Sequence, residues 1–254
     1  SSRPNQILDF GPNEAHGTAN GEIAYQQIGK FGNAVILSSA SLGYLDLSSS
    51  LRFINPGSNQ LISGTIEFWF KSALDDWLSG DSVRNLFRIG SANSYNLLFL
   101  RQQANDQLVI NSTTSGSTIT DGISSYNAST EWHHYAVTFN SASVVPNVYV
   151  YIDGIARMSA TFGEWYSESP ASQFVIGWSN ANAASFSGTY DEIRISNIVR
   201  DIPNTWKTYT TANPYLFKVS GTLWGIELSQ SLFDANNVLI ETGSFLTHFG
   251  QTNT

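Results

Sequence analysis

Apolar residues fall at every second position through one segment after another of this 254-residue chain. That repeat places alternate side chains on opposite faces, as a strand with one buried face requires, and it fits no amphipathic helix. In Thr65-Ile66-Glu67-Phe68-Trp69-Phe70-Lys71, Ile66, Phe68 and Phe70 share one face while Glu67, Trp69 and Lys71 share the other. Tyr135, Val137 and Phe139 repeat the pattern, as do Val148, Val150 and Ile152, then Phe174, Ile176 and Trp178, then Ile193 and Ile195. Further strands are predicted over 34–38, 43–47, 85–90, 95–101 and 107–111. Asp153-Gly154 after the Val148 run is a hairpin-turn signal, because both central positions of such a turn favour positive φ. Turns are also read at 55–59 and across the Ser- and Thr-rich stretch 112–122. The one helical piece is short, 203–210, with Pro203 near its first turn and Trp206 and Tyr209 three apart.

Many short strands with one apolar face each predict an all-β fold, a two-sheet antiparallel β-sandwich of the jelly-roll kind. From Pro214 three more strands are read, at 215–219, 223–228 and 238–241, with turns at Gly221 and near Asp234. The expected organisation is a sandwich domain over 1–213 and a C-terminal β extension over 214–254. That extension either packs on the sandwich or lends strand edges to a neighbouring subunit, giving a homo-oligomer or a larger assembly.

Composition narrows the function. Only 13% of residues are charged, about half the ~25% of an average soluble protein. Twenty acidic against twelve basic residues leave a net charge of −8. A nucleic acid or an anionic membrane would gain no counterion-release energy from such a surface, so neither is expected as a partner. The chain has no cysteine, which excludes thiol catalysis, disulfides and cysteine-ligated metals. It begins Ser-Ser-Arg-Pro with neither a methionine nor a signal-peptide core, as a processed or trimmed terminus would. No continuous apolar span is long enough for a transmembrane helix.

Several residue groups invite a chemical reading. Asp75, Asp76 and Asp81 surround Trp77, and Glu164 and Glu168 surround Trp165 and Tyr166. Aromatic faces stack on sugar C–H surfaces while carboxylates bind hydroxyls, so each loop is a candidate calcium-assisted sugar site. Each is also readable as an ordinary solvated loop whose tryptophan tucks inward. Asn180 and Asn182, after Trp178, form a candidate polar rim. His133 and His134 are adjacent on a strand and point to opposite faces, so they cannot grip one metal in regular geometry; a structural role at the sheet margin is expected. Asn111-Ser112-Thr113 and Asn127-Ala128-Ser129 match the glycosylation sequon, which chance also produces in a chain this rich in Asn, Ser and Thr.

Taken in order, several motifs resemble laminin-G-like, concanavalin A-like jelly-roll domains of the lectin/glucanase superfamily. They are Ile7-Leu8-Asp9-Phe10-Gly11-Pro12-Asn13, Gly29-Lys30-Phe31-Gly32-Asn33, Gly43-Tyr44-Leu45-Asp46-Leu47, the Thr65–Lys71 run, Glu131-Trp132-His133-His134-Tyr135, the run ending in Asp153-Gly154, and Tyr190-Asp191-Glu192-Ile193-Arg194. The resemblance spans roughly 6–212. It implies two curved sheets with rim loops that often bind glycans, proteins or calcium. Laminarinase-type hydrolases of this architecture hold a structural calcium on an equivalent closing strand. By that analogy Asp191, Asp9 and carbonyls near Gly32 are the candidate ligands. The alternative is an Asp191 that accepts backbone N–H bonds at a bulge, with Glu192 paired to Arg194 or to a neighbouring strand.

The clustered Glu-x-Asp-x-x-Glu of sandwich glycanases is absent, as are the Arg-Glu-Leu-Arg and Gln-Ile-His patterns of alginate lyases, Gly-x-Ser-x-Gly and any phosphate-binding glycine loop. The expected function is a non-catalytic module that recognises a carbohydrate or surface ligand, displayed extracellularly, on a cell surface or on a virion as an adhesin, capsid decoration or tail protein. A structural assembly subunit that binds no sugar is the alternative, and a glycan-cleaving enzyme comes third.

Overall fold

The computed structural model describes residues 6–7, 15–21, 23–38, 43–51, 63–73, 83–90, 95–102, 107–114, 117–123, 130–140, 142, 146–162, 173–177, 184–185, 187–206, 216–220, 229–233 and 239–243. They form two compact units, 1–205 and 206–254. The first is a two-sheet sandwich. Sheet A runs β1 (Gln6–Ile7), β2 (Gly17–Asn20), β5 (Tyr44–Asp46), β14 (Gln173–Ile176), β7 (Val83–Gly90), β8 (Tyr95–Gln102), β9 (Gln107–Thr114) and β10 (Ser117–Ile123). Short β15 (Ala184–Ser185) joins β7 in parallel. Sheet B runs β13 (Ile155–Ala160), β12 (Val148–Ile152), β11 (His133–Asn140), β6 (Ser63–Ser72), β16 (Gly188–Ser196), β4 (Asn33–Leu37) and β3 (Ile23–Ile28). Apart from β15 the pairings are antiparallel, which confirms the predicted β-sandwich.

The alternation read in the sequence decides which residues meet between the sheets. Ile66, Phe68 and Phe70 of β6, Tyr135, Val137 and Phe139 of β11, and Val148, Val150 and Ile152 of β12 are at most 2% exposed. They face Phe87, Ile89, Phe99, Phe174 and Ile176 of sheet A within one core. Phe68 touches Phe87 edge-on at 6.4 Å and stacks on Tyr135 at 5.9 Å, and Phe99 lies 6.1 Å from Tyr135, so aromatic rings bridge the layers. Side chains of this size each contribute about 1.5–3 kcal/mol by leaving water. Truncating Phe68 to alanine would cost about 3–5 kcal/mol, because the cavity adds to the transfer loss.

The Asp153-Gly154 turn forms as read: φ is 51° at Asp153 and 75° at Gly154, and the pair joins β12 to β13. One expectation changes, and two others fall partly outside the described residues. The stretch 112–122, read as a turn, is a strand pair, with β9 running to Thr114 and β10 starting at Ser117. Thr113, Thr114, Thr118, Ile119 and Thr120 are β-branched, and that preference for a pleated strand outweighs the turn tendency of the serines and glycines around them. The helix α1 is Ile202–Thr205, one turn starting at the predicted place, and residues 207–210 lie outside the described set. In the second unit β17 (Leu216–Ser220), β18 (Ser229–Phe233) and β19 (Leu239–Gly243) form one antiparallel sheet. Its middle strand follows the predicted 223–228, which lie outside the described residues.

Candidate functional site

Both faces of sheet B matter, because β6 buries its second face as well. Glu67 and Trp69 point away from the core, yet they are 2% and 3% exposed. Two segments lie on them. The β3–β4 hairpin turns at Gly29–Gly32, where the Gly29 N–H donates to the Gly32 carbonyl at 2.9 Å. It sets Phe31 edge-on to Trp69 at 5.6 Å and the Lys30 ammonium 4.9 Å from the indole centroid, a cation–π contact. The chain beyond β16 crosses the same face. Thr65 Oγ1 donates to the Ile198 carbonyl at 2.8 Å and accepts from the Arg200 N–H at 2.9 Å.

Under this cover Glu67 gathers two arginines and a histidine. Its carboxylate pairs with Arg200, lies 3.6 Å from an Arg194 nitrogen and 3.3 Å from His134 Nε2. Removing a carboxylate from water costs several kcal/mol, which paired cations offset. His134, itself edge-on to Trp69 at 5.4 Å, has its pKa lowered to about 4, first by burial and then by Arg194, with Asp153 acting the other way. It is therefore a neutral imidazole at neutral pH. The sequence reading missed this cluster; the attraction it expected between Glu192 and Arg194 is present beside the Glu67 contact. The usable signal was Glu67 in the middle of an apolar strand, where a carboxylate needs partners.

The histidines have the structural role expected of them. His133 Nδ1 lies 2.6 Å from Asp153 Oδ2, while Asp153 Oδ1 accepts the His134 N–H at 2.9 Å. One carboxylate thus ties the start of β11 to the β12–β13 turn.

Asp191 sits at a bulge in β16, where the register with β6 shifts between Asp191 and Arg194. Glu192 there takes φ 46°, a conformation uncommon for a residue with a Cβ. Asp191 Oδ1 accepts the Glu192 N–H at 2.8 Å, and Oδ2 accepts the Phe31 N–H at 2.8 Å. A Cβ at Gly29 would come within 2.5 Å of Oδ2, so only glycine lets the hairpin approach this carboxylate. The donor set here consists of N–H groups directed at an anion. The described residues around Asp191 do not fit a calcium ion, which needs several oxygen ligands. Asp9, the other proposed ligand, lies outside the described residues.

Asp75, Asp76 and Trp77, Trp165 and Tyr166, and Asn180 and Asn182 also lie outside them. Their described flanks are informative. Ala73, before the first group, donates its N–H to the Ser187 carbonyl at 3.2 Å. Val83 and Arg84, after it, open β7, where Ala184 pairs with Arg84. Gly177, before Asn180, donates to the Leu86 carbonyl at 3.1 Å. The anchors of 74–82 and 178–183 therefore converge on one end of the sandwich. The flanks of 163–172 are at the other end: Phe162 bonds Asn147 beyond the last residue of β11, and Gln173 pairs with Gly90, the last residue of β7.

A family model described as the concanavalin A-like lectin/glucanases superfamily, of laminin G type, matches residues 43–201. A search of curated proteins finds no match. Solved structures do match. Domain 4 of AbnA, a GH43 extracellular arabinanase from Geobacillus stearothermophilus solved in complex with arabinotriose, is 19% identical. It has a TM-score of 0.53 over 74% of this chain and 86% of that one. The binding domain of Paraclostridial Mosquitocidal Protein 1 is 14% identical, with a TM-score of 0.61 over 98% of this chain and 67% of that one. The receptor-binding domain of botulinum neurotoxin mosaic serotype C/D is 11% identical, with a TM-score of 0.60 over 91% of this chain. The chain spans only 60% of that domain's length. At these identities the likeness is one of fold. The family match covers well over half of the chain and the two-sheet order agrees with it: the chain belongs to the concanavalin A-like lectin/glucanases superfamily.

Proposed function

We propose that the chain is a non-catalytic recognition module that takes a glycan or a cell-surface ligand on loops at one end of its sandwich, displayed outside a cell or on a virion. The observation that carries this reading is the convergence of the anchors Ala73, Val83, Gly177 and Ala184. In this reading the segments between those anchors, with Asp75, Asp76 and Trp77 in 74–82 and Asn180 and Asn182 in 178–183, supply the ligand contacts. An aromatic face with carboxylates and amides is a composition suited to sugar hydroxyls and to polar protein surfaces. The solved neighbours, a domain in complex with arabinotriose and toxin binding domains, support a binding role. Three acids of the described sandwich serve the scaffold: Glu67 pairs with arginines, Asp153 with His133, and Asp191 with backbone N–H groups. Hydrolysis would require two carboxyls facing each other across a cleft.

The test is retention on immobilised polysaccharides and a glycan array. Wild type should be captured, Trp77→Ala should lose about tenfold or more, and Trp165→Ala, anchored at the far end, should be retained like wild type. Silence across broad arrays, or loss with Trp165→Ala alone, contradicts the reading.

A second reading is supported by the C-terminal unit. Among the described residues β17 and β19 each pair on one side only, with β18, so each offers an edge that a second chain could extend. Under this reading 206–254 joins copies into an assembly and the sandwich binds no sugar.

A further inference from the structure

We propose that sheet B carries a second ligand surface on its outer face, a shelf of Tyr149 and Tyr151 that stacks on consecutive sugar rings of a neutral polysaccharide. Along β12, Val148, Val150 and Ile152 are buried, while Tyr149 and Tyr151 alternate with them on the opposite face and are half-buried. Their ring centroids are 6.2 Å apart and their planes differ by 31°. The two rings thus follow each other along the outer face of the strand, tilted relative to one another.

The neighbouring strands leave them room. Tyr149 lies between Thr138 and Ser159, and Tyr151 between Ala136 and Ala156, all short side chains. Exposed Ser159 and Arg157 border the shelf from β13, and exposed Asp201 acts on Tyr151 from the crossing segment.

A sugar ring presents an apolar C–H face and a polar hydroxyl edge. Two aromatic rings in file satisfy the faces of adjacent residues, and the hydroxyl, guanidinium and carboxylate around them satisfy the edges. Arg157 and Asp201 have opposite charges, so the shelf offers no field that would concentrate a polyanion, and the whole chain carries −8. The occupant is therefore a neutral chain long enough to cover both rings.

Native gel electrophoresis with arabinan, xylan, laminarin or mixed-linkage glucan cast in the gel tests this. At least one polysaccharide should retard wild type. Tyr149→Ala/Tyr151→Ala should weaken that retardation about tenfold, and Tyr149→Phe/Tyr151→Phe, which keeps both ring faces, should preserve most of it. Trp77→Ala should leave a residual interaction. An unchanged melting temperature confirms that each variant is folded. Wild type unmoved by all four polysaccharides, a folded double-alanine variant that binds as wild type does, equal loss in the phenylalanine variant, or complete loss with Trp77→Ala would each overturn the shelf.

Discussion

The carboxylate of Glu67, in the middle of sheet B, is paired with Arg200, which lies four residues beyond the last residue of β16, on the segment that crosses the sheet's outer face. The strand residue is 3% exposed and the arginine 16% by side chain. Together with the bonds of Thr65 to Ile198 and Arg200, this pair fixes the crossing segment to the sandwich just before the first unit ends at Thr205.

Breaking that pair from one side should be costly. Glu67→Gln leaves the arginines without a counter-ion and is expected to lower stability in urea titration by about 3–5 kcal/mol. Arg200→Ala should cost less than that, and the double variant less than the sum, since the second change removes a charge already orphaned. Additive losses would mean that the two side chains are not coupled.

Acid should weaken the fold before carboxylates titrate. Free histidine protonates near 6.5, whereas His134 in the fold does so only at about 4. Between those values the unfolded chain binds a proton that the folded one refuses, so stability falls as pH is lowered through that window, by about 3 kcal/mol in all. Below about 4 this contribution is flat. Asp153 acts lower still. Burial raises its carboxyl, but the bonds from His133 and His134 outweigh that and hold it below 3.8, so its stabilisation is lost as pH falls beneath that value. Glu192, pushed up by burial and by Asp191, acts with the opposite sign near its own pKa. Subtracting the pH profile of His134→Gln isolates the histidine; a wild-type profile unchanged by that substitution would remove it as the cause.

Asp191 should behave as an acceptor of backbone hydrogen bonds. Asp191→Ala removes two charge-assisted bonds and is expected to cost about 2–4 kcal/mol, with Gly29→Ala producing a similar loss by displacing the same carboxylate. Calcium or a chelator should then leave the melting temperature of wild type where it is. A drop on chelation that Asp191→Ala abolishes would instead make this residue a calcium ligand.

Truncation after Thr205 should leave a folded sandwich, since the core residues and both sheets belong to 1–205. Light scattering on the two lengths tests the assembly reading: smaller particles from the short chain favour it, and identical particle size counts against it.

The sandwich was legible because its signal is repeated. Phe68, Val137 and Val150 occupy the buried faces their spacing predicts, and the Asp153-Gly154 turn follows from two residues that tolerate positive φ. Local signals misled where a hydroxyl residue serves two preferences, as in the threonines on either side of residues 115–116. The Glu67 cluster was hidden for a different reason. The partners of Glu67 lie 67 to 133 positions further along the chain and meet it only through strand order, which no periodicity encodes. For Asp191 the bulge alternative anticipated both N–H bonds. Trp77, Trp165 and the asparagines were chosen by composition, and the strand framework locates only their anchors.

The most direct test of ligand capture at one end of the sandwich is a backbone amide NMR titration with an oligosaccharide retained on the arrays. Shifts should concentrate at Ala73, Arg84, Gly177, Ala184 and Ser187 and spare Gly90, Phe162 and Gln173. Perturbations centred on that second trio, or none at saturating ligand, would contradict the account.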